Sequence, residues 1–120
     1  MPRLRVLVCG GRRYPNRRAV FDALDKLAGQ HPLGLFIIEG GATGADSFAQ
    51  QWRYDRGHPG LTYRADWKAY GQAAGPIRNQ RMLAEGKPDV VLAFPGGRGT
   101  RHMLSLAEAA AVPVVRGALV

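Results

Sequence analysis

The 120-residue chain has a single cysteine, Cys9, which excludes an internal disulfide framework and any zinc site built on several thiolates. No apolar stretch approaches the roughly 18 residues that a membrane helix needs. The longest runs, Val90–Phe94 and Leu35–Ile38, are strand-sized. Arg3 and Arg5 precede an apolar run too short for a secretory leader, so a cytoplasmic location without a membrane partner is expected. Low-complexity tracts, charge blocks and repeats of solenoid period are absent. Acidic residues are scarce: 9 Asp plus Glu stand against 17 Lys plus Arg, a net charge of +8. Lysine is scarcer still, because 14 of the 17 cations are arginine. Arginine presents a planar fork of donors that fits phosphate and carboxylate, so where the arginines fall matters more than their number.

What is present is ordinary globular composition, 46% hydrophobic and 22% charged, in a length that suits one domain over residues 1–120. Short apolar β-rich runs alternate with helical patterns. Leu4–Cys9 reads as a first strand, stopped by Gly10 and Gly11. Asn16 caps a helix with apolar residues at Val20, Phe21, Leu24, Leu27 and Ala28. Leu35–Glu39 is a second strand, and Ala45, Phe48, Ala49 and Trp52 mark a helix that Gly57 closes. Leu61–Ala65 is a weaker third strand and Asp66–Gly75 a loop. Pro76 suits the first turn of a helix running to about Glu85. Val90–Phe94 is a fourth strand, buried on both faces by its continuous apolar character. Met103, Leu106, Ala107 and Ala110 mark a last helix before a fifth strand at Val112–Arg116. This alternation predicts an α/β three-layer sandwich around a five-stranded parallel sheet. Periodicity leaves two strand orders open, 3-2-1-4-5 and 2-1-3-4-5.

Ligands of such sheets bind beyond the carboxyl ends of the strands. Three of the loops there are glycine-rich and lead into helices: Cys9–Arg13, Glu39–Asp46 and Pro95–Thr100. Glycine lets backbone approach a ligand closely, and a helix start supplies free N–H groups and positive potential. Arg12, Arg13, Arg17 and Arg18 flank the first helix start, Arg78 and Arg81 the helix after Pro76, and Arg98 and Arg101 the last one. Cations are unfavourable at that end of a helix dipole unless an anion compensates, which points to a phosphate-bearing ligand. Arg13, Arg17 and Arg101 individually read as solvent-facing, and Arg98 as part of the glycine loop. Asp46 is either a helix cap or a partner for a sugar hydroxyl. Glu39 is either a ribose-binding acid or a solvent-facing strand end. Trp67 and Tyr70 either stack on a base or anchor their loop.

Several chemistries lack their residues. The first loop, Gly10-Gly11-Arg12-Arg13-Tyr14, is not a dinucleotide fingerprint, and no P-loop or nucleophile elbow occurs. His31, His58 and His102 are scattered, so neither a metal nor a cofactor is expected.

Taken together, Gly40-Gly41-Ala42-Thr43-Gly44-Ala45-Asp46, Ala74-Gly75-Pro76-Ile77-Arg78-Asn79 and Pro95-Gly96-Gly97-Arg98-Gly99-Thr100 resemble the SLOG superfamily, in particular its small YspA/YpsA-related members. The likeness runs from about Val6 to Val115. The superfamily also holds the LOG-type phosphoribohydrolases and the Rossmann domain of DNA-processing protein A. The resemblance implies a Rossmann-like fold of order 3-2-1-4-5, a site for a nucleotide or nucleotide-derived ligand, and a tendency to form homo-oligomers. LOG enzymes carry PGGxGTxxE, whose glutamate serves glycosidic hydrolysis; Met103 stands in its place here. Arg78 is the nearest match to the LOG active-site arginine.

Three functions follow as expectations. The first is binding of a phosphate-containing nucleotide derivative by Gly10, Gly11, Arg12, Gly40, Gly41, Gly44, Asp46, Arg78, Asn79, Pro95, Gly96, Gly97, Arg98, Gly99 and Thr100. The second is cleavage of a nucleoside monophosphate, with Arg78, Glu39 and Asp46 as catalytic candidates. The third is binding of single-stranded nucleic acid, with Trp67 and Tyr70 stacking on bases.

Overall fold

A computed structural model of the chain describes residues 2–117. The elements run β1 (Leu4–Cys9), α1 (Arg17–Gln30), β2 (Leu35–Glu39), α2 (Ala45–Arg56), β3 (Gly60–Thr62), α3 (Trp67–Tyr70), a 3-10 turn (Gly71–Ala73), α4 (Ala74–Gly86), β4 (Val90–Ala93), α5 (Arg98–Ala109) and β5 (Val114–Arg116). All strands pair in parallel in the order β3-β2-β1-β4-β5, which decides between the two orders that periodicity allowed. β1 is central, with Leu7 opposite Ile38 of β2 on one side and Val91 of β4 on the other.

The two faces of β1 feed two cores, as the two-residue period of a strand requires. Val6 and Val8 pack with Val20, Leu24, Ala49 and Trp52 of α1 and α2. Leu7 and Cys9 pack with Met82 of α4 and Met103 and Ala107 of α5. The result is a Rossmann-like three-layer sandwich. On the first face, fully buried Trp52 donates its indole N–H to Asp25 at 2.9 Å and stacks on His58 at 4.6 Å.

α1 begins where Asn16 accepts the Ala19 N–H at 3.0 Å. Asn16→Ala removes this cap and is expected to cost about 1 kcal/mol, read as a lowered midpoint in urea denaturation with an unchanged slope.

The edges of the sheet differ from the sequence expectation. β3 is Gly60–Thr62 rather than Leu61–Ala65, and β5 begins at Val114 rather than Val112. Both are short edge strands with exposed side chains: Leu61 is 45% and Val115 43% exposed. β4 ends at Ala93; Phe94, expected within it, is buried just beyond. The segment Asp66–Gly75, expected as a loop, is mostly helical. Asp66 accepts the Ala69 N–H at 3.0 Å and so starts α3. Pro76 sits in the first turn of α4, where an N–H has no intrahelical partner to lose. Arg98, expected within the glycine loop, is the first residue of α5. No helix among the described residues is long and apolar enough to cross a membrane.

Candidate functional site

The sheet reverses its strand order between β1 and β4. Beyond the carboxyl ends of these strands lies a cavity of about 920 Å³, near the upper end of the size range of small-molecule sites. Gly10, Gly11, Arg12 and Arg13 line it from the loop after β1, Asp46 from α2, Arg78 and Asn79 from α4, and Pro95, Gly96, Gly97, Arg98, Gly99 and Thr100 from the turn into α5. Gly40 and Gly41 line a smaller adjoining cleft of about 310 Å³ instead. Gly44 and Glu39 line neither.

The three loops are stitched together at Gly11. Its N–H donates to Pro95 O at 2.9 Å, and its carbonyl accepts from Tyr14 N at 3.1 Å and Ala45 N at 3.3 Å. Several glycines serve this packing. Gly44 has φ +73°, and a Cβ there would overlap the Gly11 carbonyl. A Cβ on Gly10 would lie 2.6 Å from Ala45 Cβ, and one on Gly96 would overlap Thr100 Oγ1. Gly97 and Gly99 are different. A Cβ at either would meet no atom within 4 Å, and neither has a positive φ. Gly99 lies in the first turn of α5, where glycine is a poorer helix former than alanine by at most the roughly 1 kcal/mol of a helix interior. No side chain caps that helix, so its first N–H groups open towards the cavity.

Arg78 and Asp46 grip the same residue, Gly40, through its carbonyl and its N–H. Arg78 Nη1 donates to Gly40 O at 2.6 Å, and Asp46 Oδ2 accepts from Gly40 N at 3.1 Å and Ala42 N at 3.3 Å. Burial pushes the Asp46 carboxyl up to about 6; the Ala42 N–H opposes this, the Glu39 charge adds to it, and Arg78 and the Gly40 N–H oppose it. Burial also lowers the Arg78 pKa, with the Asp46 charge acting against that and the Arg12 charge reinforcing it. Glu39 is fully buried, where an end of a strand facing solvent or ribose had been expected. Its two carboxylate oxygens accept from Gly41 N at 2.6 Å and from the Thr62 hydroxyl, tying the β2 loop to β3.

Asn79 joins α4 to α5. Arg78 Nε can only donate, so the Asn79 atom that meets it at 3.0 Å is Oδ1. Its Nδ2 therefore donates to Gly99 O at 3.1 Å and to His102 Nδ1 at 3.2 Å. That assigns the His102 proton to Nε2. His102 lines the cavity although its place in the sequence looked isolated; its spacing of three from Gly99 on a helix was the available signal. Arg13, read as solvent-facing, is exposed and also borders the cavity, while Tyr70 does not. Trp67 does, with the Arg12 guanidinium 4.8 Å from its ring centre.

The chemistry available is narrow. Asp46 is the sole carboxylate among the described residues lining the cavity. Met103 is 1% exposed on its wall. Burial pushes the Cys9 thiol up to about 12, helped by the Asp46 charge and opposed by Arg116, so it is a poor nucleophile. No group of three or more His, Cys, Asp or Glu among the described residues is placed to hold a metal ion.

The chain is 42% identical over 118 residues to the Gene 61 protein of Mycobacterium phage D29, covering 92% of this chain and 94% of the phage protein. Among solved structures, the TM1055 protein superposes with a TM-score of 0.74 at 21% identity, covering 92% of this chain and 72% of that one. DNA processing protein A from Helicobacter pylori, in a structure concerned with its single-stranded DNA binding mode, gives 0.66 at 20% identity over 92% and 63% of the two chains. The same protein from Streptococcus pneumoniae gives 0.54 at 16% identity over 96% and 59%. At these identities the solved structures share the fold. Residues 4–70 match the model of the YspA, cpYpsA-related SLOG family, and with the phage relative this establishes that the chain belongs to that family.

Proposed function

We propose that the protein binds a nucleotide or nucleotide-derived ligand by its phosphate and acts as a sensor or a sequestering domain. The observation that carries this reading is the start of α5. Its N–H groups are uncapped, and a Cβ on Gly97 or Gly99 there would meet no atom within 4 Å, so packing demands neither glycine. Bare backbone at a helix start seats phosphate oxygens through oriented N–H groups and the positive end of the dipole. Arg12, Arg13 and Arg98 surround the same space. None of them belongs to the four ion pairs among the described residues, so an anion would supply the charge they lack.

Binding rather than turnover fits the walls of the cavity. An N-glycosidase needs a carboxylate beside the developing positive charge of the sugar, and Asp46 is already engaged with two backbone N–H groups. A panel of nucleoside monophosphates is expected to raise the melting temperature of the protein, with no free base released on prolonged incubation. Absence of stabilisation by every member overturns the reading, and release of base converts it to the phosphoribohydrolase one. Arg98→Ala is expected to weaken binding about tenfold by removing a charge-assisted hydrogen bond, with the melting temperature of the free protein unchanged because the side chain is exposed. Unaltered affinity would take Arg98 out of the site.

Single-stranded nucleic acid is the second reading, favoured by the net charge of +8 and by the ring of arginines at the cavity. The Helicobacter pylori relative, whose structure concerns such binding, lends support. Affinity for an oligonucleotide that exceeds that for mononucleotides and falls steeply with salt would favour it.

A further inference from the structure

The smaller cleft opens a question that a single phosphate does not answer. It shares Arg12, Ala42, Trp67 and Arg78 with the large cavity, so the two spaces adjoin along a common wall. It adds one cation of its own, Arg64, whose Nη1 donates to Gly41 O at 3.3 Å. No carboxylate lines it among the described residues, and none of its three arginines is in an ion pair there. Burial lowers the Arg78 pKa; the Asp46 charge opposes this, and Arg12 is close enough for its charge to add to it. Two mutually repelling guanidiniums therefore stand on the boundary between the spaces, with a third beyond it. Asp46 and Glu39 offset this repulsion at Arg78 from outside the cleft, Arg12 and Arg64 are in no ion pair among the described residues, and an anion between the guanidiniums relieves what remains.

We infer that the ligand spans both spaces: a nucleotide with its first phosphate at the start of α5 and a second phosphate-bearing arm in the cleft of Arg64. This rests on the nucleotide-binding reading and narrows it from a monophosphate to a nucleoside polyphosphate. Arg12 and Arg78 are met by the chain of phosphates as it crosses the boundary. Arg64 then distinguishes long ligands from short ones, and the loop at Gly41 sets its position. A Cβ on Gly41, at φ +72°, would lie 3.0 Å from Arg64 Cγ and Nη1.

Calorimetric titration of the full chain with AMP, ADP and ATP, and with the guanosine series, tests this in the wild type and in Arg64→Ala. The wild type is expected to bind a diphosphate or triphosphate at least tenfold more tightly than the monophosphate. Arg64→Ala is expected to abolish most of that advantage while leaving the monophosphate affinity within twofold, and Arg64→Lys to restore part of it. Arg64 is exposed, so the melting temperature should not move. Equal affinity for all three lengths, or an advantage that survives Arg64→Ala, overturns the two-space ligand and leaves monophosphate binding standing. Failure of every nucleotide to bind the wild type overturns the nucleotide reading itself, and this inference with it.

Discussion

Leucine in place of Gly99 is expected to leave the fold at least as stable and to weaken ligand binding more than a hundredfold. The two effects separate because Gly99 is helical and a Cβ there would meet no atom within 4 Å. In a helix, leucine is nearly as favourable as alanine and glycine is worse by roughly 1 kcal/mol, so unfolding in urea should shift upwards by up to that amount. The leucine side chain, however, would stand in the cavity that Gly99 lines and cover the N–H groups at the start of α5. Loss of those donors together with steric exclusion amounts to about 3 kcal/mol or more, which is the hundredfold. The same change at Gly96 or Gly10 would confuse fold with site, because a Cβ at either collides with neighbouring atoms. A Gly99→Leu protein that binds nucleotides as the wild type does would remove the α5 start from consideration as the phosphate seat.

That distinction among glycines marks the limit of what the sequence carries. The order of strands and helices was legible because β1, β2 and β4 each hold an apolar run of four residues, Val6–Cys9, Leu35–Ile38 and Val90–Ala93, and because Asn16 and Gly57 punctuate the helices locally. Three glycine-rich loops at strand ends were legible for the same reason, and the parallel sheet then places them on one edge. Which glycine serves packing and which has open space beside it depends on the Gly11 carbonyl and the Thr100 hydroxyl, neighbours that only the folded chain supplies. Arg78 looked like a free cation and is a clamp on a peptide 38 residues away. Glu39 looked like a strand-end acid facing either ribose or solvent, and both of its oxygens are consumed by Gly41 and Thr62. The edges of the sheet failed for a different reason. Leu61 and Val115 lie on strands with little buried face, so the alternation that reports burial is weak there. α3 contributes no buried residue, and an apolar period had nothing to record.

Asp46 shows what the folded environment adds to a residue that sequence could only mark as acidic. The residue is 6% exposed, and burial pushes its carboxyl up to about 6, against 3.8 for an ordinary aspartate. The unfolded chain therefore loses this proton first as pH rises. Stability is unaffected by the group below about pH 4, falls between 4 and 6, and above that carries a constant deficit of about 3 kcal/mol. Asparagine has no charge to bury, and its one carbonyl oxygen can accept from Gly40 N and Ala42 N as Asp46 Oδ2 does. Asp46→Asn is accordingly expected to raise unfolding stability by about 3 kcal/mol at pH 8 and to change it little at pH 4, measured by urea denaturation at both values. A destabilised variant at pH 8 would mean that Arg78 needs the negative charge more than the fold is harmed by it. Retention of so unfavourable a carboxylate at the wall of a cation-lined cavity is what a functional demand predicts. An anionic ligand, in turn, is repelled by the ionised form. The wild-type affinity for a nucleoside monophosphate should therefore fall as pH rises through 6, faster than the ligand's own ionisation accounts for, and Asp46→Asn should remove that excess. Parallel pH profiles in the two proteins would place Asp46 out of reach of the ligand.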